Sequence, residues 1–356
     1  MAAGEWPSAP SNALSPATST TNTGPIPGPT TTGSPTGPSP SQTPPNWVAS
    51  GHPIGWLIER LLALEPLRQL LFWQARRLII RTAERRGIDW RARREHLRTQ
   101  AAPLLQSSGD PVTSTPGYYR ARFHAYQLGN LCWEAACEAE QATDAMALRI
   151  WPAELLSPSQ AQQRLRAAIM AAIAPSLNLP VRRALDLGCS VGVSTRSLKD
   201  WLDEREAADV RVEGLDLSPE MLAVARAREA EAAPARPIAA WHHAAAEASG
   251  LASASYELIT LQFVCHELPS SATAAVLAEA HRLLRPGGVL AMVDQDPESE
   301  LIRRLPAPIA TLLKSTEPYL EQYFSLDMTA ALEATGFHSL RRVACDPRHR
   351  VLVAVA

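Results

Sequence analysis

The sequence predicts a doubly wound α/β fold over residues 151–356, preceded by a helical extension at 51–150 and a low-complexity tail at 1–50. Three observations lead there. RRALDLGCSVGVSTRSL (182–198) passes from a short apolar run through a glycine turn into a helix-forming segment. VEGLDLSPEML (212–222) repeats that strand-to-helix change with an acidic residue at the junction. Further apolar runs within 245–263, 281–296 and 331–356 supply more strands between helical segments.

Taken in order, Ala184 to Leu187 is a buried strand, Gly188 to Gly192 a tight turn, and a helix opens near Ser194. The second strand ends on Asp216. Ser218, Pro219 and Glu220 then give a helix its N-cap, its first position and an acidic first turn. Leu258, Ile259 and Leu261 mark a buried fourth strand, and the Pro286-Gly287-Gly288 turn precedes the fifth. The last segment reads as a helix ending at Gly336, then two strands joined at Asp346-Pro347.

A glycine turn at a strand's carboxyl end lets a ligand approach backbone, and the helix after it offers free N–H groups. An acidic residue at the tip of the next strand suits a pair of ribose hydroxyls, so the two motifs together describe a site for an adenosine-containing ligand. The turn lacks the G-x-G-x-x-G of a dinucleotide site, and Asp186 beside it would repel a diphosphate but suits a cationic amino group.

DLGCSVG (186–192) resembles motif I of the class I S-adenosylmethionine-dependent methyltransferases, with Ser190 where that family usually has its second glycine. AAEASGLASASYELITLQF (245–263) is similar to the family's D-A-E-x-L-P…S-F-D-x-V segment, and HRLLRPGGVLAMVDQD (281–296) to its L-x-P-G-G turn and fifth strand. The resemblance covers roughly 150–356. It implies a seven-stranded Rossmann-like sheet with an antiparallel last strand and S-adenosyl-L-methionine as cofactor. It also places Asp186, Gly188, Cys189, Ser190, Gly192, Asp216, Leu217, Met221, Ala246, Glu247 and Gln262 around that cofactor. Ala245 stands where the family's aspartate accepts a bond from the adenine amine, so that contact falls to Glu247, Gln262 or backbone. Losing one such bond costs about 1 kcal/mol.

Composition narrows the class. Residues 1–50 hold 11 Pro, 8 Ser and 9 Thr with no Lys or Arg, a segment expected to be disordered and lacking the features of a transit or secretory signal. A cytoplasmic location is therefore expected. A formal charge of −2 argues against a general nucleic-acid binder. Five cysteines without C-x-x-C spacing point to a reduced compartment and no structural zinc, and adjacent His242 and His243 on a strand would face opposite ways.

The extension bears on the substrate. Residues 54–98 are apolar and then basic, with Arg76, Arg77, Arg81, Arg85, Arg86, Arg91, Arg93, Arg94 and Arg98 and a helix-breaking Pro66. Two readings stay open: a helical cap on the core, or an interfacial helix whose Trp56 and Trp73 dip into lipid beside arginines that meet anionic headgroups. Residues 117–151 are rich in aromatics and resemble a stretch of cyanobacterial and plastid methyltransferases of unassigned substrate. Tyr119 and His124 are candidate substrate residues there, and the acceptor is expected to be bound by residues before 152.

The family chemistry implied is in-line transfer of the sulfonium methyl to a small, lipophilic molecule, which rests chiefly on positioning and exclusion of water. A base is needed only if the acceptor must lose a proton, and His266 in FVCHELP, just past the fourth strand, is the candidate; Asp294, Asp296 and His124 are weaker ones. No N-P-P-Y or D-P-P-Y follows that strand, which lowers nucleic-acid and protein-amide acceptors. A non-catalytic binding or scaffold protein on the same fold and a nucleotide-dependent oxidoreductase are the competing readings.

Overall fold

The computed structural model describes residue 60 and residues 64–106, 115–121, 126 and 129–356. The chain divides into residues 1–43 and 44–356, and the described residues all lie in the second unit. The Pro/Ser/Thr tail, Trp56 and His124 lie outside the described residues, as do the readings attached to them.

Four long helices precede the sheet: α1 (Glu65–Arg85), α2 (Trp90–Gln106), α3 (Trp133–Ile150) and α4 (Pro158–Ile173). Pro66 sits in the first turn of α1, where its missing N–H has no intrahelical partner to lose, so it begins the helix rather than breaking it. Ser157 starts α4 with a reciprocal capping box to Gln160. Among the described residues no helix is long and apolar enough to cross a membrane.

Seven strands follow: β1 (Arg183–Leu187), β2 (Arg211–Asp216), β3 (Ala240–His243), β4 (Tyr256–Gln262), β5 (Leu284–Gln295), β6 (His338–Ala344) and β7 (His349–Val355). Their order is β3-β2-β1-β4-β5-β7-β6. β1 to β5 pair in parallel, and β7 runs antiparallel to both β5 and β6. The Rossmann-like sheet with an antiparallel last strand is therefore present. α5 (Val193–Arg205), α6 (Pro219–Ala232) and α7 (Ser270–Leu283) connect the parallel strands. Between β5 and β6 the chain makes four short helices: α8 (Glu300–Arg303), α9 (Ala307–Thr316), α10 (Leu320–Ser325) and α11 (Met328–Ala334).

Alternation along each strand splits the core between the two faces of the sheet. Ala184, Leu258, Val289 and Val353 join Leu165 and Ile169 of α4 and Leu198 and Leu202 of α5 on one face. Leu185, Leu187, Ile259, Leu261 and Leu290 join Val276 and Leu277 of α7 on the other. Each such fully buried leucine, isoleucine or valine contributes roughly 2 kcal/mol. The sheet reverses its order between β1 and β4, and in this topology ligands bind in the crevice beyond the carboxyl ends of those strands.

The extension packs on α6 through a third cluster, with Leu97 and Ala101 of α2 and Ala135, Ala136 and Cys137 of α3 against Met221, Ala223, Val224 and Ala227. Seven of its arginines divide into two sets. Arg76 and Arg94 converge on the buried Glu138, and Arg93 bridges Glu140 of α3 and Glu231 of α6. Arg77, Arg81 and Arg85 stay exposed on α1, as does Arg86 just past its end. The first set fastens the cap, and the acids it uses come from distant helices that a local reading of the arginine run does not reach.

Candidate functional site

The turn after β1 is shaped by its neighbours. Gly188 has φ +69° and a Cβ there would stand 2.6 Å from Val264 Cγ2; Gly192 has φ +76° and would meet Trp241 Cη2 at 2.5 Å. Gly188 and Cys189 both donate their N–H to the Leu215 carbonyl, at 2.8 and 2.9 Å, which ties the turn to the end of β2. Ser190 takes φ +49°, left-handed backbone that glycine adopts without cost, and its hydroxyl reaches Met221 Sδ at 3.3 Å.

Asp216 ends β2 beside this turn. One carboxylate oxygen accepts the Ser190 N–H at 2.7 Å and the other the Ser218 N–H at 2.8 Å. Burial pushes its carboxyl upward, against the pull of those two N–H groups. Each oxygen keeps a second lone pair, so the carboxylate is set in place with acceptor capacity in reserve. Leu217 and Met221, both buried, flank it. The predicted Ser218 cap is formed, with the Ser218 hydroxyl accepting the Met221 N–H at 3.1 Å.

Asp186 is arranged differently from the free carboxylate the turn suggests. It is wholly buried and accepts hydroxyls from Ser194 at 2.6 Å, Thr195 at 2.8 Å and Thr260 at 2.6 Å. Burial raises its carboxyl while those three donors and Arg166 act to lower it. These bonds lock β1, β4 and the start of α5 together under the turn, so its influence on a ligand is through position and charge.

Past β3, Ala245 and Ala246 are buried and bring no side-chain acceptor. Both oxygens of the adjacent Glu247 are shielded from solvent without a hydrogen-bond partner, and burial holds its carboxyl above the usual range. A buried orphan acceptor is expensive unless a ligand satisfies it. Gln262, the last residue of β4, has its carbonyl engaged by the Arg166 guanidinium at 2.7 Å while its Nε2 has no partner. Arg166 was not singled out by sequence, since it stands on α4 with 95 residues between it and its partner.

His266 lies in a short helical turn, Cys265–Glu267, directly after β4. Its Nδ1 meets Asp294 Oδ1 at 2.8 Å and its backbone N–H donates to the other oxygen at 3.1 Å. Burial alone would pull the imidazole down, but Asp294, with Glu317 and Glu267 further off, raises it to about 10. Asp294 thus favours the protonated imidazole at the position the sequence offered for a base. Its neighbour in the other direction is Tyr323 of α10, ring centroids 6.5 Å apart.

Tyr119, in the helical turn Gly117–Arg120, comes close enough to Asp216, Glu267 and Cys265 for their charges to oppose its ionisation, after burial as the largest cause. Asn130 donates to Glu267 at 2.6 Å. Tyr319 donates to the Tyr118 carbonyl at 3.4 Å. Residues 317–323 therefore share the wall over His266 with the aromatic segment before the sheet, a contribution that sequence did not signal. His242 and His243 go separate ways, to Glu213 at 2.8 Å and the Leu217 carbonyl at 3.0 Å. Among the described residues no group of three or more His, Cys, Asp or Glu is placed to hold a metal.

A glycine cradle, an oriented Asp216 and an orphaned Glu247 at the carboxyl ends of β1, β2 and β3 fit an adenosine-bearing cofactor. Comparison with known proteins agrees: residues 184–288 match the family described as a methyltransferase domain. Residues 184–288 thus carry a methyltransferase domain. The chain is similar to an uncharacterized methyltransferase of Synechocystis (27% identical over 163 residues, 46% of this chain and 70% of that protein). It is also similar to a carboxy-S-adenosyl-L-methionine synthase of Geobacter (28% over 125 residues, 35% and 49%) and a trans-aconitate 2-methyltransferase of Azoarcus (38% over 134 residues, 36% and 47%). The chain thus spans about half the length of the last two. The matched part of the methyltransferase domain holds Asp186, the glycine turn, Asp216, Glu247, Gln262 and His266, and leaves Arg166, Tyr119 and Tyr323 outside it.

Proposed function

We propose that the protein transfers the methyl group of S-adenosyl-L-methionine to a small acceptor. The observation that carries this reading is the juxtaposition of the glycine turn after β1 with Asp216, whose carboxylate both N–H groups hold in position. When bound, the cofactor supplies a methyl already activated on a sulfonium. Asp216 is the residue to receive the ribose hydroxyls, Glu247 the adenine amine that Ala245 has no acceptor for, and the Gly188–Gly192 turn the methionine side. The work left to the chain is holding the two reactants in line and excluding water.

His266 suits a particular acceptor. As an imidazolium beside Asp294 it donates a hydrogen bond and places positive charge beyond β4, which favours an acceptor atom already anionic over one that must first lose a proton. Tyr119, Tyr118 and Tyr323 supply an apolar wall with polar tips, which supports a small lipophilic molecule carrying such a group. The trans-aconitate methyltransferase relative is one whose named substrate is a small anion.

Ala245 favours a second reading, a protein that keeps the fold and binds without turnover. Calorimetric titration with S-adenosylhomocysteine and with NAD, followed by incubation of a metabolite extract with methyl-labelled cofactor, separates the two. Binding of S-adenosylhomocysteine alone with label appearing in a small molecule is the expected result. Binding without label transfer supports the scaffold, and preference for NAD overturns both.

For α1 we infer peripheral contact with an anionic membrane surface. Leu70, Trp73 and Leu78 are exposed, and Arg77, whose guanidinium lies 5.2 Å from the Trp73 ring centroid, Arg81 and Arg85 share that side of the helix. Flotation with phosphatidylglycerol but not phosphatidylcholine vesicles is expected; absence from both overturns the contact.

A further inference from the structure

We infer that Arg228 is a positioning residue for the cofactor turn, held to that task by Glu140 of the extension, so that α2 and α3 are a working part of the cofactor site. This rests on the proposed function. The Arg228 guanidinium spans two elements. Its Nη1 donates to the carbonyl of Val191, within the turn, at 2.6 Å, and its Nε to Glu140 Oε1 of α3 at 2.9 Å. The other Glu140 oxygen accepts Arg93 Nε of α2 at 2.8 Å, and Arg93 Nη1 reaches back to Glu231 of α6 at 2.7 and 2.9 Å. Arg228 and Glu231 lie on one face of α6, so the four charges alternate around a closed ring that joins α6, α3 and α2. Against burial, Arg228 and Arg93 hold the Glu140 carboxyl below its usual range.

Apolar packing ties the same turn to the same helices. Val191 is 2% exposed and shares the third cluster with Leu97 and Ala101 of α2 and Ala135, Ala136 and Cys137 of α3. Met221, which accepts the Ser190 hydroxyl, belongs to that cluster too. What the turn gains is a fixed shape. Ser190 holds φ +49°, and strained backbone of that kind persists only where its surroundings over-determine it. The Asp216 carboxylate is one such constraint; the Arg228 bond and the buried Val191 side chain are further ones, and both depend on the extension. A turn held in shape before binding spares the ligand the cost of ordering it. Linkage makes the effect reciprocal. A ligand that needs the ordered turn tightens α2 and α3 onto α6 by the same factor that their docking tightens the ligand.

The test measures S-adenosylhomocysteine affinity by calorimetry on the full chain, on Arg228→Met, Arg228→Lys and Glu140→Gln, and on Arg228→Met combined with Glu140→Gln. Hydrogen exchange of residues 133–150, with and without that ligand, follows the extension. Arg228→Met should weaken binding about 10-fold, the equivalent of one hydrogen bond, and Arg228→Lys, which keeps the charge, should weaken it less. Glu140→Gln should also weaken it, and the double variant should match Arg228→Met within about twofold, because both changes act on one bond. In the wild type the ligand should slow exchange in 133–150, and in Arg228→Met by a smaller factor. A merely structural ring would lower the unfolding temperature of each variant and leave affinity as it was. Unchanged affinity in Arg228→Met, losses that add in the double variant, or exchange in 133–150 indifferent to the ligand each overturn the coupling. The exchange arm needs only the wild type, so it tests the coupling even where a variant does not fold. Failure of the wild type to bind S-adenosylhomocysteine overturns the proposed function instead.

Discussion

Asp216 Oδ2 accepts the Ser190 backbone N–H at 2.7 Å, so the carboxylate that ends β2 also fixes the turn that follows β1. One side chain does two jobs, ordering the cradle and facing the ribose. Strand pairing makes this geometry: β1 and β2 are parallel neighbours, and Leu187 pairs with Leu215 immediately before both junctions.

Replacing Asp216 should therefore affect binding and stability together. Asp216→Ala is expected to weaken S-adenosylhomocysteine at least 100-fold and to cost about 2 kcal/mol as two backbone N–H groups lose their acceptor. Asp216→Asn keeps a single acceptor oxygen and should fall between. Calorimetry and denaturant unfolding measure the two effects, and a variant that loses affinity without stability would contradict the double role.

Two of the turn's three left-handed positions, Gly188 and Ser190, should respond in opposite directions. Gly188→Ala forces a Cβ to within 2.6 Å of Val264 and strains a φ of +69°, and should destabilise the protein by more than 1 kcal/mol. Ser190→Gly removes a Cβ from φ +49° and is expected to stabilise it by up to about 1 kcal/mol with cofactor affinity retained. Melting temperatures of the two variants decide this, and a destabilised Ser190→Gly would mean that the Ser190–Met221 contact outweighs the backbone strain.

Glu247 offers a trade between stability and affinity. Its folded carboxyl is raised, so burial of the ionised form costs stability as pH rises past the ordinary value of 4.5. Glu247→Leu should stabilise the ligand-free protein at neutral pH by about 1 kcal/mol, with the gain fading below pH 4.5. The same change should weaken S-adenosylhomocysteine by about tenfold through the lost adenine acceptor. Unaltered affinity would place the adenine contact elsewhere.

The His266–Asp294 pair gives a pH signature of the opposite sign. A histidine raised from 6.5 to about 10 stabilises the fold fully below 6.5 and loses that contribution as pH rises through about 10. The difference in melting temperature between wild type and His266→Gln should thus be largest near pH 6 and shrink toward pH 10. Turnover limited by the imidazolium should fall over the same alkaline range, whereas a rate rising with pH would restore the histidine as a base.

Much of the site was legible because it is written in neighbouring residues. Gly188, Gly192, Asp216 and the Ser218-Pro219-Glu220 helix start are local devices, each with a backbone reason that holds wherever the strand ends. The antiparallel hairpin was legible in the same way, whereas Pro286-Gly287-Gly288, read as a turn before the fifth strand, lies within β5 where its register with β4 shifts, and Gly287 donates its N–H to the Ala356 carbonyl at 2.8 Å. Arg166, Tyr323 and the role of Asp294 were not, because a side chain's partner across β4 and β5 depends on register and packing.

By itself, the sequence determined the alternation of strands and helices, the glycine turn and its acidic companion, and hence the class of cofactor. Backbone conformation and burial periodicity are short-range properties, and a chain met alone displays them. Only the tertiary structure decided that Asp186 is held by three hydroxyls, that Arg76, Arg93 and Arg94 clamp α1 and α2 to α3 and α6, and that Asp294 draws the His266 imidazole upward. Those outcomes are set by which groups are buried together, and burial turns modest polar contacts between distant residues into the interactions that fix charge and position.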